Sequence, residues 1–417
     1  MSKKKRRGSG ALAALLSVLL LGLCAFVLVG FQVVELPAFL VLEEPSALAP
    51  QATPTPAPTP TLTPKPTPSP APPSPTPQPD SRLCIRVVGD IMVHEKQLEA
   101  AHMDGDAYEF DSFFTSIAPS IQRADVAIGN LETVFMGEEK PYTGFPKFNT
   151  PDSLADTLRR VGFDVLTMAN NHAFDHRLAG VERTIRVLEE RGLQTVGANA
   201  SPETEKRYLL LEKNGIRLGI LAYTDTFNHR PDEAYMVLPL EEERVRADVE
   251  SLRREGADFI LAIVHWGEEY EETQDHGQER DARMLASAGV DAVLGSHPHV
   301  LQGMELLPNA QGDGDCPVVY SMGNFISNQQ TRPRDIGVIF ELNLVKNHQS
   351  GCTRLDSLGY VPTLVYKTDQ GDVYGYDVLP VGSLLNQEDH PHGRRIRKAW
   401  EQVTELYGQA CATPLAD

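Results

Sequence analysis

The chain lacks the excess of basic residues that binding to nucleic acid requires. It contains 38 lysines and arginines against 57 aspartates and glutamates, which gives a net charge of −19. Residues 1–34 hold five basic residues and no acidic one, so residues 35–417 carry −19 less five positive charges, that is −24. A surface of this sign repels phosphate backbones, which argues against nucleic acid as a partner. Any anionic substrate would need a local attraction, and a bound metal cation could supply one.

Residues 11–31 contain no charged side chain at all. As a helix, this run spans roughly 30 Å, which matches the hydrocarbon core of a bilayer. The basic residues that precede it are expected to stay in the cytoplasm. We therefore predict a basic cytoplasmic tail over 1–10 and a transmembrane anchor over 11–34, which makes a single-pass protein of the cell membrane with an extracytoplasmic C-terminal domain. A cleavable signal peptide and, because of Cys24, a lipoprotein signal are the alternatives.

Residues 50–80 are rich in proline, threonine and serine and nearly free of charge. Such a segment cannot bury a core and favours an extended, polyproline-like spacer. We predict a Pro/Thr-rich extracytoplasmic linker over 35–80, one domain over 81–380 and a C-terminal helical extension over 381–417. Within that extension, residues 394–408 have the apolar spacing of an amphipathic helix that packs on the domain.

Cysteine is scarce, with five residues in 417 and no CxxC pair, which argues against a thiolate zinc site. Cys24 lies in the predicted anchor, and the other four lie outside the membrane, where disulfides are permitted. Cys316 and Cys352 flank two runs, 317–326 and 337–345, that read as an antiparallel strand pair, and Cys84 and Cys411 bracket the domain. We expect the pairings Cys316–Cys352 and Cys84–Cys411, with free thiols as the alternative.

From residue 83 onward, short apolar runs alternate with stretches of helical periodicity. The strand-like runs are 84–90, 125–132, 164–172, 218–225, 258–267, 291–299 and 317–324. The helix-like stretches are 153–162, 178–192, 240–256 and 277–289. This alternation predicts an α/β fold, with a largely parallel or mixed sheet covered by helices.

Polar side chains recur where the strand-like runs end. They are Asp90, Asn130, Glu132, Asn170, Asn171, His172, His265, His297 and His299. The carboxyl ends of strands in α/β sheets converge on ligands, so we expect these side chains to share a site. Imidazole, carboxylate and amide oxygen together suit Mn²⁺, Zn²⁺ or Fe²⁺ better than Ca²⁺. In the segment GSHPH at 295–299, alternate residues of an extended chain share a face, so His297 and His299 are predicted to approach one cation, with Pro298 stiffening the segment between them.

These motifs resemble the CapA family of poly-γ-glutamate capsule synthesis proteins, which have a calcineurin-like metallophosphoesterase fold. The resemblance covers about residues 84–380 and rests on GD at 89–90, GNLE at 129–132, ANNHAFD at 169–175, HWGEEY at 265–270, GSHPH at 295–299 and SMGNF at 321–325. It implies a layered sandwich of mixed β-sheets flanked by helices, preceded here by one transmembrane helix. It also implies a divalent metal, one or two ions of Mn, Zn or Fe.

Carried over residue by residue, the resemblance implies a catalytic histidine, His172, which acts on the leaving group or stabilises charge. The implied metal ligands are Asp90, Glu132, Asn171, His265, His297 and His299. Possible supporting or substrate-contacting residues are Asn130, Asn170, Glu268 and Asn324. Met92 stands where the family pattern has a further ligand, and GNLE replaces an aspartate-containing motif; both departures put a standard two-metal centre in doubt.

The resemblance implies a membrane-anchored protein of poly-γ-glutamate synthesis, export or attachment, with poly-γ-glutamate and capsule synthase subunits as partners. Its chemistry would be that of a metal-dependent hydrolase or transferase acting on an amide or phosphoester bond. Two alternatives remain open at this point. The chain could be a non-catalytic, metal-stabilised scaffold or polymer-binding subunit, or it could be a general cell-surface phosphoesterase.

Overall fold

The computed structural model describes residues 78–310, 312, 314–369, 374–387, 389–408 and 413–415. The predicted cytoplasmic tail, the transmembrane anchor over 11–34 and nearly all of the linker therefore lie outside the described residues. Within the described ranges, every helix is too short or too polar to traverse a lipid bilayer.

The larger sheet has nine strands among the described residues, and its central part is parallel. Strands β1 to β4 run in parallel in that order, and β12, β13 and β14 extend the other side of β1 in antiparallel fashion. Short β11 adds to β1, and β15 adds to β13, both in parallel. The bounds are β1 Ser81–Ile91, β2 Val126–Leu131, β3 Val165–Thr167, β4 Gln194–Val196, β11 Asn324–Ile326, β12 Ile336–Lys346, β13 Thr353–Asp369, β14 Tyr374–Pro380 and β15 Thr413–Pro414.

In the part of the chain that the structure describes, the smaller sheet has six strands in the order β5-β6-β7-β8-β10-β9. Its four inner strands are parallel, and its two edge strands, β5 and β9, are antiparallel to their neighbours. The bounds are β5 Leu209–Lys213, β6 Ile216–Thr224, β7 Phe259–His265, β8 Ala292–Ser296, β9 Leu301–Pro308 and β10 Asp315–Met322. Both sheets are thus mixed, and the predicted α/β class is confirmed.

Helices cover the outer faces of the two sheets, except the last two, which contribute side chains to the apolar cluster shared by both sheets. They are α1 Glu95–Ala101, α2 Ala118–Ile121, α3 Ser153–Val161, α4 Arg177–Glu189, α5 Glu242–Arg254, α6 His276–Ala288, α7 Val381–Leu384 and α8 Gly393–Tyr407, with 3₁₀ turns at Asp111–Phe114 and Pro202–Thr204. The four helix-like stretches of the sequence correspond to α3, α4, α5 and α6. The amphipathic helix predicted at 394–408 is α8, which buries Ile396, Val403 and Tyr407.

Alternation along the strands divides the core into layers. In β7, Leu261 and Ile263 belong to the apolar cluster shared by both sheets, whereas Ile260 and Val264 belong to the cluster under α5 and α6. A third cluster lies between the larger sheet and α1, α3 and α4. Successive side chains of a strand point to opposite faces, so the sequence of a strand that is buried on both faces is a continuous run of apolar residues. The order of layers is therefore helices, sheet, sheet, helices.

Two glycines of the sequence motifs lie so close to the backbone of another strand that a larger residue would not fit. A Cβ added to Gly89 would lie 2.0 Å from the carbonyl oxygen of Gly323, and one added to Gly295 would lie 2.1 Å from that of Tyr320. These positions precede Asp90 and the GSHPH histidines. Glycine thus brings the strand ends close enough for polar side chains from different strands to meet.

The predicted disulfide between Cys316 and Cys352 is wrong. Both residues are free thiols; Cys316 is buried under the smaller sheet, and Cys352 is exposed. The expected strand pairing of the runs beside them is also wrong, apart from one isolated antiparallel bridge between Gly323 and Gly337, because β10 belongs to the smaller sheet and β12 to the larger. Cys84 is also a free thiol, and its expected partner, Cys411, lies outside the described residues.

Candidate metal centre

The ends of strands from both sheets bring the predicted polar residues together. Asp90 is near the end of β1, Glu132 follows β2, His265 ends β7, and His297 and His299 follow β8. All five side chains are buried. Asn171 and His172 lie in the turn after β3 and are buried as well. The common edge predicted from the sequence is therefore present.

Asp90 is the most heavily contacted carboxylate of this edge. Its Oδ1 accepts a hydrogen bond from Asn130 Nδ2 at 2.7 Å, and its Oδ2 lies 3.1 Å from His299 Nδ1 and 3.3 Å from the backbone nitrogen of His297. Burial alone would raise the pKa of Asp90, but the hydrogen bonds from His299 and Asn130 outweigh it and hold the pKa below its usual range. Asp90 is thus an anion at neutral pH.

Glu132 has the opposite environment. Its side chain is fully buried, and neither carboxylate oxygen has a hydrogen-bond partner among the described residues. Burial, followed by the charges of Asp90 and Glu269, raises the pKa of Glu132 well above its usual range. An unpartnered buried carboxylate is costly unless a cation or a donor satisfies it. The donor set beside it, two imidazoles and a second carboxylate, fits a divalent transition metal.

His265 is positioned between the two carboxylates. Its Nε2 lies 3.1 Å from Asn171 Oδ1 and 3.7 Å from Glu132 Oε1, and its Nδ1 lies 3.0 Å from Ser296 Oγ. Burial lowers the pKa of His265 well below its usual range. The ring is therefore neutral, which is the form that binds metals.

The expected extended geometry of GSHPH is wrong, although its two histidines do converge. Strand β8 ends at Ser296, and His297 and His299 have φ angles of +100° and +58°. Non-glycine residues rarely adopt such angles, and they cluster at functional sites. The two rings lie 5.9 Å apart between centroids, so a pair of left-handed residues, not the alternation of a strand, turns both toward the centre.

Among the described residues, three groups of side chains present ligand atoms within 4.8 Å of one another. They are Glu132 with His265 and His297, Asp90 with Glu132 and His299, and Glu269 with His297 and His299. His297 Nδ1 has no hydrogen-bond partner within the described ranges, and burial lowers the pKa of His297 to about 4. Glu269 was not among the expected ligands. The expected pocket residue Glu268, its neighbour, is exposed.

His172 lies beside these groups and outside all three of them. Its Nδ1 is 2.9 Å from Asp175 Oδ2, and Asn228 Nδ2 is 3.3 Å from each ring nitrogen. The ring packs edge-on against Phe148, with centroids 4.7 Å apart. Sequence reasoning missed Asp175 as a partner, although a carboxylate three positions after a histidine in one motif was a usable signal. Asn228 offered no such signal.

Asn130, Asn170 and Asn324 hold the loops around the centre. Asn130 Nδ2 donates to Asp90, while Asn130 Oδ1 accepts from Thr167. Asn170 Nδ2 donates to the carbonyl of Leu131, and Asn170 Oδ1 accepts from the backbone nitrogen of His172. Asn324 Nδ2 donates hydrogen bonds to the backbone carbonyls of His299 and Arg334. All three therefore orient their neighbours through hydrogen bonds.

Met92 lies in the core at 1% exposure. Its thioether is a poor ligand for the cations that carboxylate and imidazole prefer.

Comparison with known proteins gives one family and several relatives. Residues 84–329 match the model of the family described as bacterial capsule synthesis protein PGA_cap. A capsule biosynthesis protein CapA of Bacillus anthracis is 29% identical over 274 residues, which cover 62% of this chain and 64% of that one. A PGA biosynthesis protein CapA of Bacillus subtilis is 30% identical over 276 residues, which cover 64% of this chain and 69% of that one. The chain thus spans about two thirds of the length of these relatives, and slightly less in the first case.

Among solved structures, the calcineurin-like phosphoesterase YfkN from Bacillus subtilis superposes with a TM-score of 0.41 at 17% identity, covering 78% of this chain and 98% of that chain. A phosphatase from Mycoplasma pneumoniae superposes with a TM-score of 0.42 at 12% identity, covering 68% of this chain and 94% of that chain. With TM-scores below 0.5, the assignment rests on the sequence comparisons.

Proposed function

This chain belongs to the bacterial capsule synthesis protein family PGA_cap, and from that premise we propose that it acts on poly-γ-glutamate during capsule synthesis, export or attachment. In this proposal residues 11–34 anchor the protein in the cell membrane, and the domain works outside the cell beside capsule synthase subunits. Its chemistry is that of a metal-dependent hydrolase or transferase.

The observation that carries the catalytic part is the environment of Glu132. A fully buried carboxylate with two unpartnered oxygens lies beside His265 Nε2 at 3.7 Å and His299 Nε2 at 3.9 Å. In a purely structural cluster we would expect these oxygens to be hydrogen-bonded. Their lack of a partner among the described residues supports a cation held by Glu132, Asp90 and the three histidines, with Asn171 Oδ1 facing the same space.

A bound divalent cation would supply Lewis-acid polarisation of the scissile bond and a more acidic water. The rest of the chemistry falls to the chain itself. Because Asp175 Oδ2 accepts a hydrogen bond from His172 Nδ1–H, the lone pair of His172 remains on Nε2. His172 can therefore take a proton at Nε2 and return it to the leaving group. The aromatic ring of Phe148 fixes the orientation of the imidazole.

The first test measures bound metal in the purified full-length protein. The parent, a variant with His297→Ala and His299→Ala, and a control with His276→Ala are each offered Mn²⁺, Zn²⁺ or Fe²⁺ and analysed by elemental analysis. His276 is a fully exposed histidine that belongs to none of the three groups of candidate ligands. We expect stoichiometric metal in the parent and the control and its loss from the double variant, with all three folded by circular dichroism. An absence of metal from the parent would refute the catalytic proposal.

The second test asks which bond is cleaved. The metal-loaded protein is incubated with poly-γ-glutamate, alone and with an amine acceptor, and separately with an aryl phosphate. Shortened or amine-capped polymer supports the proposal. Turnover of the phosphate alone would instead support a general phosphoesterase.

One observation favours a second candidate, a non-catalytic scaffold. Buried Met92 stands in the first motif where the family pattern implied a further ligand, which points to fewer cations than a two-metal hydrolase uses. A single cation can also tie together the loops that follow β2, β7 and β8. In that case the His172→Ala variant would still support capsule formation in cells, whereas a catalyst would lose it.

A further inference from the structure

A cavity beside α8 is lined mainly by cations. Its volume is about 370 Å³, and its lining residues are Arg332, Pro391, His392, Arg394, Arg395 and Lys398. Four of the six carry a fixed positive charge, in a chain whose net charge is −19. This concentration of one sign distinguishes the cavity from the acidic composition of the chain as a whole.

Most of these charges lack an internal partner. Arg395 is paired with the carboxylate of Asp335. Arg332, Arg394 and Lys398 are exposed and make no ion pair with any described carboxylate. On α5, by contrast, the exposed Arg246 and Arg254 each pair with a glutamate one turn earlier.

The loop that carries Arg332 also contacts the metal centre. The guanidinium carbon of Arg334 lies 3.3 Å from the ring centroid of Tyr270, and the Tyr270 ring lies 6.0 Å from that of His299. Asn324 Nδ2 donates hydrogen bonds to the backbone carbonyls of both His299 and Arg334, at 3.3 and 2.9 Å. One amide therefore holds this loop against the histidine segment.

We propose that Arg332, Arg334, Arg394 and Lys398 form a cationic track that binds an extended polycarboxylate chain next to the metal centre. The inference rests on the proposed function and names how its polymer is held. Residues 35–417 carry −24, so a polyanion is repelled by the domain in general and needs such a local attraction. Arginine binds carboxylates with paired, directional hydrogen bonds.

The form of the track favours a chain over a lipid surface. Arg332, Arg394 and Lys398 line a concave cavity, and Arg334, two residues after Arg332, contacts Tyr270 beside His299. A flat anionic membrane would contact the exposed rim and not the position beside His299. An extended polymer with a carboxylate on every residue can occupy both.

The test measures binding of fluorescently labelled poly-γ-glutamate to the full-length protein by anisotropy at several salt concentrations. The first variant combines Arg332→Gln, Arg394→Gln and Lys398→Gln. The matched control combines Lys213→Gln, Arg246→Gln and Arg254→Gln, which removes the same charge from exposed positions elsewhere. We expect the first variant to bind about tenfold more weakly and with a shallower dependence on salt, and the control to change Kd less than about twofold.

Equal Kd values for the parent and the track variant would overturn the inference, as would undetectable binding by the parent at low salt. Tighter binding of polyphosphate or of anionic phosphatidylglycerol vesicles than of poly-γ-glutamate would also overturn it, because the partner would then be a different anion. Metal content is measured on the same samples. A parent protein that binds the polymer but holds no metal would refute the catalytic proposal and support the cationic track. A parent protein that holds metal but does not bind the polymer would refute the track and leave metal binding supported.

Discussion

Nδ1 of His299 lies 3.1 Å from Oδ2 of Asp90, although 209 positions separate the two residues in the chain. Because Asp90 is ionised, it can only accept, so His299 donates from Nδ1 and keeps its lone pair on Nε2. That nitrogen lies 3.9 Å from Glu132 Oε1. A carboxylate from the first strand thus fixes the tautomer of a histidine that follows the eighth, and directs its lone pair toward Glu132.

Replacing Glu132 by glutamine should separate metal binding from folding. The neutral amide removes a buried carboxylate that has no hydrogen-bond partner among the described residues, so the metal-free protein should be as stable as the parent or more so. Metal affinity should fall at least tenfold, since an anionic ligand is lost. Urea unfolding in the presence of a chelator and calorimetric titration with Mn²⁺ check the two parts.

The control for this variant is Glu279→Gln, which removes an acidic residue from the surface of α6. Its metal affinity should equal that of the parent. Equal affinity for the Glu132→Gln variant would show that Glu132 is not a ligand.

The affinity for metal should rise with pH. Burial holds the pKa of Glu132 above its usual range, so in the metal-free protein this group must lose a proton before it binds a cation. His265 and His297 have lowered pKa values, so they are already neutral and release no proton when metal binds near neutral pH. We expect log affinity to increase by up to about one unit per pH unit below the raised pKa, and to level off above it. Titrations in buffers of different ionisation enthalpy count the proton released.

The same shift sets the sign of a stability effect in the metal-free protein. A carboxyl whose folded pKa lies above its unfolded value contributes stability at low pH that is lost as pH rises through the folded pKa. As pH increases, the unfolding free energy of the parent should therefore fall relative to that of the Glu132→Gln variant. A difference that is independent of pH would contradict the raised pKa.

His172→Gln should lower turnover without releasing metal. The ring lies outside the three groups of candidate ligands and is held by Asp175 at 2.9 Å. Loss of a positioned acid–base group typically costs about 10²- to 10⁴-fold in rate. Asp175→Asn should reduce kcat less and alter its pH profile, because it changes the partner of Nδ1 and leaves the imidazole. Full activity of the His172→Gln variant would assign the residue a structural role.

Gly295→Ala should destabilise the fold. The new methyl group would lie 2.1 Å from the carbonyl oxygen of Tyr320 and 2.5 Å from Trp266 Nε1, which itself donates to that oxygen. Because the backbone atoms can move away only at a large energetic cost, we expect the free energy of unfolding to fall by about 1–3 kcal/mol or more. The control is Gly303→Ala in β9, where the nearest atom would be 3.8 Å away and the change should stay within ~0.5 kcal/mol.

Of the described cysteines, only Cys352 should react with a thiol reagent in the native protein. It is exposed, whereas burial raises the pKa of Cys316 to about 12. Burial, with the charge of Glu341, also raises the pKa of Cys84 to about 12. The thiolate is the reactive form. Brief alkylation near pH 8 followed by peptide mass mapping should show modified Cys352 and unmodified Cys84 and Cys316, and all three should react after unfolding.

The sequence predicted those parts of the fold in which local pattern and burial agree. The apolar runs at 218–225 and 258–267 became β6 and β7, because strands covered on both faces have no room for polar residues. The predicted pairing of 317–326 with 337–345 failed apart from a single bridge between Gly323 and Gly337, because the apolar pattern identifies a strand and not its neighbour. β10 pairs with β8 and β9 instead.

The candidate site shows the same division. Asp90, His265 and His299 were identified from residue type at strand ends, since the topology of α/β sheets brings such ends together. Glu269 was passed over in favour of Glu268, because adjacent residues of a loop cannot be ranked without its backbone path. Asp175 and Asn228, the partners of His172, were missed as well.

The sequence by itself determined the α/β class, the charge of the chain and the set of polar strand ends from which a metal centre can be built, because these follow from residue type and periodicity along the chain. Only the tertiary structure decided which carboxylate is satisfied and which is not. Asp90 and Glu132 are both buried acids, yet three hydrogen-bond donors surround Asp90 and none among the described residues reaches Glu132. That difference arises from packing between the ends of two sheets, and no local pattern encodes it.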